Sequence, residues 1–333
     1  TLMATSRHVA VDVVGGDHFP ENPMAGAKLA LAAHSHLILH LLGPESLIRE
    51  EAQSQGLDLS RCVIHDAPEI VGMEDAPSAA LKTKPHSSIA LGNGLVKKGH
   101  AQAFVSAGNT GALLAASMFI LGKLEGVARP TIGTVYPTIK GFRLLLDAGA
   151  NLELRAEHYL QFAKMGRIYA EHLMGIEHPK VGLLNVGEEA EKGTEMLIEA
   201  YNALQGLSEF TGNIEGRDIL TGKADVFLCN GLVGNLLLKF GESIPDVLSL
   251  LLGKTMKEKN LEPAQQALVA EVFKEAMQPF NYENVGGMPF LGVDGISMVG
   301  HGGSTPKAIF NMISNAMHCV EVELNQRILT SLN

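Results

Sequence analysis

Short apolar runs alternate with amphipathic stretches along most of this chain. Residues 8–14, 37–42, 61–66, 103–106, 131–136, 142–147, 180–186, 224–229 and 295–300 read as strands. Several are nearly continuous in Val, Ile and Leu, the composition of strands covered on both faces. Between them, 21–34, 46–55, 85–98, 111–121, 155–174, 195–204 and 306–329 carry apolar residues at helical spacing. The alternation predicts parallel βαβ units in a doubly wound, mostly parallel sheet, an α/β/α sandwich forming one unit over 1–333. One segment breaks the rhythm. From about Asn235 to Tyr282 the pattern is helical, so a helical excursion over 236–282 is expected. Within it Leu268, Val269, Val272, Phe273, Ala276 and Met277 form an apolar stripe opposed by Glu271, Lys274 and Glu275. The stripe predicts a helix packed on its own unit or on a second subunit, with a membrane surface as the alternative.

Composition narrows this picture without redirecting it. With 333 residues, 46% of them hydrophobic, there is ample material for a large core. A formal charge of −10 argues against nucleic-acid binding, although Lys82, Lys84, Lys97 and Lys98 give local basic spots for an acidic partner. Cys62, Cys229 and Cys319 lie far apart, which reads as a reduced protein without disulfides or a zinc site. Residues 1–8 do not read as a signal peptide, and the longest apolar run, 112–122, is too short to span a bilayer. A cytoplasmic location is expected.

Candidate chemistry lies in the loops at the ends of the strands. Gly15, Gly16, Asp17 and His18 come after the first; Ser106, Asn109, Thr110 and Gly111 after the fourth; Asp147 and Asn151 after 142–146. Asn185, Gly187 and Lys192 come after 180–184, Asn230 to Asn235 after 224–229, and His301, Gly302, Gly303, Ser304 and Thr305 close the last strand. In a doubly wound sheet the carboxyl ends of parallel strands share one edge, where ligands bind. Glycine lets backbone amides approach closely, and each helix start adds free N–H groups with partial positive charge. Singly, each loop is ordinary turn chemistry; together, six of them predict an anion site. No GxxxxGK[ST], GxGxxG, GxSxG or HExxH occurs, so nucleotide, dinucleotide and zinc-protease signatures are absent, and neither a metal nor a cofactor is called for.

Eight stretches, in this order, resemble the phosphate acyltransferases of bacterial glycerophospholipid synthesis, the PlsX family. They are VAVDVVGGDHFPENPMAGA (9–27), SAALKTKPHSSIALG (78–92), VSAGNTGALLA (105–115) and LLLDAGANLELRAEHYLQFAKMG (144–166), then VGLLNVGEEAEKGTE (181–195), GNIEGRDILTGKADV (212–226), GLVGNLLLK (231–239) and VGHGGSTPKAIFNMI (299–313). The resemblance implies the fold of the isopropylmalate dehydrogenase and phosphate acetyltransferase group. It implies transfer of an acyl group from acyl carrier protein to inorganic phosphate, a homodimer, peripheral membrane association and a membrane acyltransferase that uses the product. Many relatives read Asp-Gly-Phe where this chain has Asn230, Gly231 and Leu232, so a role needing a carboxylate at 230 is not carried over.

In such a reaction phosphate is itself the nucleophile. The protein must neutralise it, align it with the thioester carbon and stabilise the oxyanion. Lys192 and Asn235 are the expected catalytic residues, the first as a cation and the second as an amide donor. Gly15, Gly16, Asp17, Ser106, Asn109, Thr110, Asp147, Asn151, Asn185, His301, Gly302 and Ser304 are expected to bind phosphate or substrate. His18 and His301 are candidate proton carriers, and Cys229 is expected to be buried and inert.

Overall fold

The computed structural model describes residues 6–280 and 285–332, and only the backbone of Ser78. Residues 281–282, the end of the expected helical excursion, lie outside the described residues. The strands obey a strict alternation. In β1 (Arg7–Asp12) Val9 and Val11 face one side and Ala10 the other; in β6 (Gly141–Leu146) Leu144 and Leu146 oppose Leu145; in β9 (Val226–Leu228) Val226 and Leu228 oppose Phe227. Apolar side chains on both faces require helices on both, which gives the three layers.

The remaining strands are β2 (Leu37–Gly43), β3 (Cys62–Asp66), β4 (Ala103–Ser106), β5 (Thr131–Thr138), β7 (Val181–Leu184), β8 (Phe210–Ile214), β10 (Gly287–Leu291) and β11 (Ile296–Gly300). They form one sheet in the order β3-β2-β1-β4-β11-β10-β5-β6-β9-β7-β8. Neighbours are parallel except β11–β10, β10–β5 and β5–β6. Three successive reversals leave the block β6-β9-β7-β8 running opposite to β3-β2-β1-β4-β11. The six loops therefore do not share one sheet edge, contrary to the expectation from a uniformly parallel sheet.

What brings loops of both blocks together is the packing of the two faces. One face carries a single continuous core, built by α1 (Glu21–Ala33), α2 (Glu45–Gln55), α6 (Ala156–His172), α7 (Glu195–Leu204), α11 (Pro306–Glu321) and α12 (Leu324–Leu332). The other face carries two separate cores. Near the first block, Ala80 of α3 (Pro77–Thr83), Ile89 of α4 (Ser88–Lys97) and Leu113 of α5 (Thr110–Ala116) pack on Phe104 and Ala10. Near the second, Ile219 of α8 (Gly216–Ile219) and Leu237 of α9 (Gly231–Glu258) pack with Phe227 and Tyr136. The gap between them, over β10 and β5, is a groove.

Three local features differ from the sequence reading. The predicted helix 111–121 is α5 followed by a π turn over Ser117–Leu121. The single helix expected over 306–329 is broken where Glu323 adopts a left-handed φ of 54°. The excursion is α9 followed by α10 (Pro263–Ala276), and none of α10 is buried. Phe273 and Met277 line a small cleft against Leu252 and Met256 of α9, while Leu268 and Val272 stay 61% and 57% exposed. Among the described residues no helix is long and apolar enough to cross a membrane.

Candidate active site

The groove encloses a cavity of about 1050 Å³ lined from both halves of the sheet. Three helices begin at its wall. Asn109 caps α5 by accepting from the Ala112 amide at 3.0 Å, Asn230 caps α9 through Val233 N at 3.0 Å, and Thr305 caps α11 through Ala308 N at 3.3 Å. The caps hold the first turns in register, and the amides the caps leave free carry partial positive charge towards the cavity. Position 230 thus needs an N-cap acceptor, and Asn serves there about as well as Asp.

Two buried aspartates set the loops, one in each half. Asp12 Oδ1 accepts from Val14 N at 3.1 Å, and its Oδ2 accepts from Ser106 Oγ at 2.6 Å. Ser106 Oγ in turn accepts from Gly108 N at 3.0 Å, which joins the β1 loop to the β4 loop. Asp147 mirrors this: its Oδ1 accepts from the Gly149 and Ala150 amides at 2.7 Å each, its Oδ2 from Thr131 Oγ1 at 3.0 Å and Asn151 Nδ2 at 2.6 Å. Burial pushes both carboxyls above the usual range, and these donors pull the other way by stabilising the anions. Asn151 also donates to Pro130 O at 2.9 Å, and Gly231 N donates to Asn151 O at 2.7 Å. The start of α9 is thereby seated on the Asp147 loop. Gly234 completes the seat: a Cβ there would lie 1.8 Å from the Asp147 carbonyl oxygen.

The β1 and β11 loops are stitched in the same way. Asp17 N donates to Gly302 O at 2.8 Å, and Asn22 Nδ2 to Ser304 O at 3.0 Å. Gly16 takes a φ of +97°, and a Cβ there would meet Gly302 O at 2.8 Å, so only glycine fits. His301 Nδ1 accepts from Gly303 N at 3.1 Å, which puts the neutral ring's proton on Nε2.

Among the expected site residues, Asp17, Thr110, Asn235, His301, Gly302 and Ser304 line the cavity. The side chain of Asn235 is exposed, and among the described residues it has no hydrogen-bond partner. Gly15, Gly16, Ser106, Asn109, Asp147 and Asn151 form the supporting layer behind that wall. Ser106 and Asp147 are fully occupied within the protein, and Asn109 donates to the Gly72, Met73 and Asp75 carbonyls as well as capping. Asn185 and Lys192 stand apart on an exposed loop, where Asn185 Nδ2 donates to the Lys192 carbonyl at 3.0 Å. His18 is exposed and does not line the cavity. Burial pushes the Cys229 thiol well above its usual range, and it stays protonated. Sequence reasoning misses Asp12 and Gly234. A signal for Asp12 is present, an acid ending an apolar strand with no water to solvate it.

A sequence model of the family described as "Fatty acid synthesis protein" matches residues 7–327. The chain is 44% identical over 339 residues to the phosphate acyltransferase of Chlorobaculum parvum, covering 98% of each chain. It is 46% identical to that of Salinibacter ruber, covering 94% of each. Among solved structures it resembles a phosphotransacetylase from Streptococcus pyogenes, with a TM-score of 0.64 at 15% identity over 95% of this chain and 94% of that one. A branched-chain phosphotransacylase from Enterococcus faecalis gives 0.58 at 15% identity over 94% and 99%. The two structures share the fold. Full-length matches at this identity settle the family: the chain belongs to the fatty acid synthesis protein family, alongside the phosphate acyltransferases.

Proposed function

We propose that this chain forms acyl phosphate from acyl-[acyl carrier protein] and inorganic phosphate, feeding glycerophospholipid synthesis. The observation that carries the reading is the meeting of three helix N-termini and the unpartnered Asn235 amide in one large cavity. Such a wall suits an anion and needs no protein nucleophile. A phosphate oxygen attacks the thioester carbon, a C–O bond forms, the C–S bond breaks, and the carrier thiol leaves. Asn235 donates to the developing oxyanion, Thr110 and Ser304 with their neighbouring amides hold phosphate, and His301 Nε2 is placed as a further donor. Lys192 acts if the Asn185–Lys192 loop folds over the groove. Asn235→Ala should lower turnover by about 100-fold, the order of one oxyanion donor, and Lys192→Ala should also lower it sharply. Near-normal turnover in either variant removes that residue from the mechanism. Supplying acyl-CoA instead of the carrier thioester separates this reading from a phosphotransacetylase-like one.

The finer expectations of a homodimer, a membrane-acyltransferase partner and cytoplasmic, peripherally membrane-associated placement come from the resemblance and the cysteine pattern, and the apolar surface of α9 supports the dimer and the membrane contact among them. Leu236, Phe240, Val247 and Leu251 are 61%, 66%, 51% and 55% exposed, more than isolated surface apolars explain. Light scattering tests the dimer. Liposome flotation of the wild type against a double-polar variant at Leu268 and Val272, the exposed apolar residues of α10, tests the membrane contact; equal flotation rules that helix out.

A further inference from the structure

Where the helix N-termini meet, the cavity wall offers donors, yet Asp17 brings a carboxylate to it. The backbone fixes its place. The Gly16 turn, with its φ of +97°, precedes it, and the Asp17 amide donates to Gly302 O at 2.8 Å. The side chain then lies along the β11 loop. A Cβ on Gly302 would stand 3.2 Å from Asp17 Oδ2 and 3.3 Å from Oδ1; one on Gly303 would stand 3.9 Å from Asp17 Oδ2 and 3.4 Å from His301 Nδ1. The carboxylate and the imidazole thus flank one bare Gly302–Gly303 turn, just before α11 begins. Among the described residues neither Asp17 oxygen has a hydrogen-bond or ion-pair partner. A carboxylate without such a partner repels a bare anion, and the repulsion turns to attraction when a proton lies between the two oxygens.

We propose that Asp17 is the residue by which the site tells phosphate from sulfate, a reading that rests on the proposed reaction. An ionised carboxylate can only accept. Phosphate keeps a hydroxyl throughout the neutral range, whereas sulfate, of the same shape, has none. The phosphate hydroxyl donates to Asp17, and the unprotonated oxygens accept from His301 Nε2, Thr110 and the α11 amides. Sulfate meets the same donors but sets a lone pair against the carboxylate. The contact also orients the nucleophile. With the hydroxyl-bearing oxygen anchored at Asp17, an unprotonated oxygen is left to face the thioester.

The test is the ratio of the sulfate inhibition constant to the phosphate KM in acyl phosphate formation, measured for wild type, Asp17→Asn and Asp17→Ala. A hydrogen bond to a charged group contributes at least about tenfold in affinity. Wild type should therefore favour phosphate by that factor or more. Asp17→Asn places an N–H₂ donor at the same spot and should lower the ratio at least about tenfold. Asp17→Ala, which removes the repulsion and adds no donor, should lower it less. A merely structural role would weaken both anions together; an unchanged ratio in both variants overturns the proposal even if turnover falls, and leaves the reaction standing. Calorimetric binding of inorganic phosphate and of sulfate is read in parallel. If wild type made no acyl phosphate yet bound phosphate over sulfate, and Asp17→Asn lost that preference, the discrimination would stand and the proposed reaction would fall. A wild type that binds sulfate as well as phosphate would overturn the role of Asp17 outright, and one that binds neither and makes no acyl phosphate would remove both.

Discussion

Replacing Gly234 by alanine tests whether the active-site wall depends on how closely α9 is seated. The new Cβ would lie 1.8 Å from Asp147 O, 2.8 Å from Asp147 C and 3.1 Å from Ala148 Cα. All three are backbone atoms, so no side chain can turn aside. To bring the shortest contact to 3.0 Å, α9 must retreat by at least about 1.2 Å in a closely packed interior. Asn235 is the next residue, so the donor moves with the helix. Misplacement on this scale costs about 100-fold in turnover. Stability should respond far less. Overpacking costs about 1–3 kcal/mol, offset by roughly 1 kcal/mol of helix propensity gained over glycine. Gly253 lies on the same helix with nothing within 4 Å of its would-be Cβ. Gly253→Ala should therefore stabilise by about 0.5–1 kcal/mol and leave turnover alone. Urea unfolding and phosphate-dependent acyl phosphate formation are measured on both variants. Wild-type turnover in Gly234→Ala would refute the seating of α9 as the determinant of the site.

Other predictions concern the supporting structure. Asp12→Ala strands the Ser106 hydroxyl and the Val14 amide in a dry site and should cost about 3 kcal/mol, Ser106→Ala about 1 kcal/mol. Urea unfolding of the double variant should show less than the sum, and strict additivity would contradict the pairing. His40 hydrogen-bonds His8 at 3.0 Å and His65 at 2.8 Å, and burial, with those two rings and His100, lowers its pKa to about 4. The unfolded chain takes up this proton near 6.5 and the folded one only near 4, so stability present above 6.5 is lost as pH falls towards 4. The slope is at most about 1.4 kcal/mol per pH unit. His40→Gln should lose less than wild type over that window in urea titrations, and equal losses would reject the assignment. Asn230→Ala should cost about 1 kcal/mol in the same assay, whereas Asn230→Asp should match the wild type's cap. A loss from the aspartate as large as from alanine would exclude capping as the role of position 230.

Much of this fold is legible in the sequence because buried strands flanked by helices leave a strong apolar signal. β8 and β10 escape for a physical reason: FTGNI and GMPFL are short, and each contains Gly with Asn or Pro, which weaken a strand pattern. Missing β10 hides the reversal of direction, since β10 supplies two of the three antiparallel pairings. The loops are recognisable as a group, but their division of labour is not. Ser106 and Asn109 offer the same donors whether they face phosphate or hold a neighbouring loop, and only packing decides between these uses. Lys192 lies at the other extreme: its loop is recognisable and shares an edge with the β6 and β9 loops, but β7 lies two strands from β6, and no local pattern encodes that strand order.

The central claim is that phosphate itself takes the acyl group in this groove. Purified protein is incubated with acyl-[acyl carrier protein] with and without inorganic phosphate, and acyl phosphate and free carrier thiol are both quantified. Equal amounts of the two, formed only when phosphate is present, are predicted. Thiol release without acyl phosphate, or release that ignores phosphate, would contradict the account.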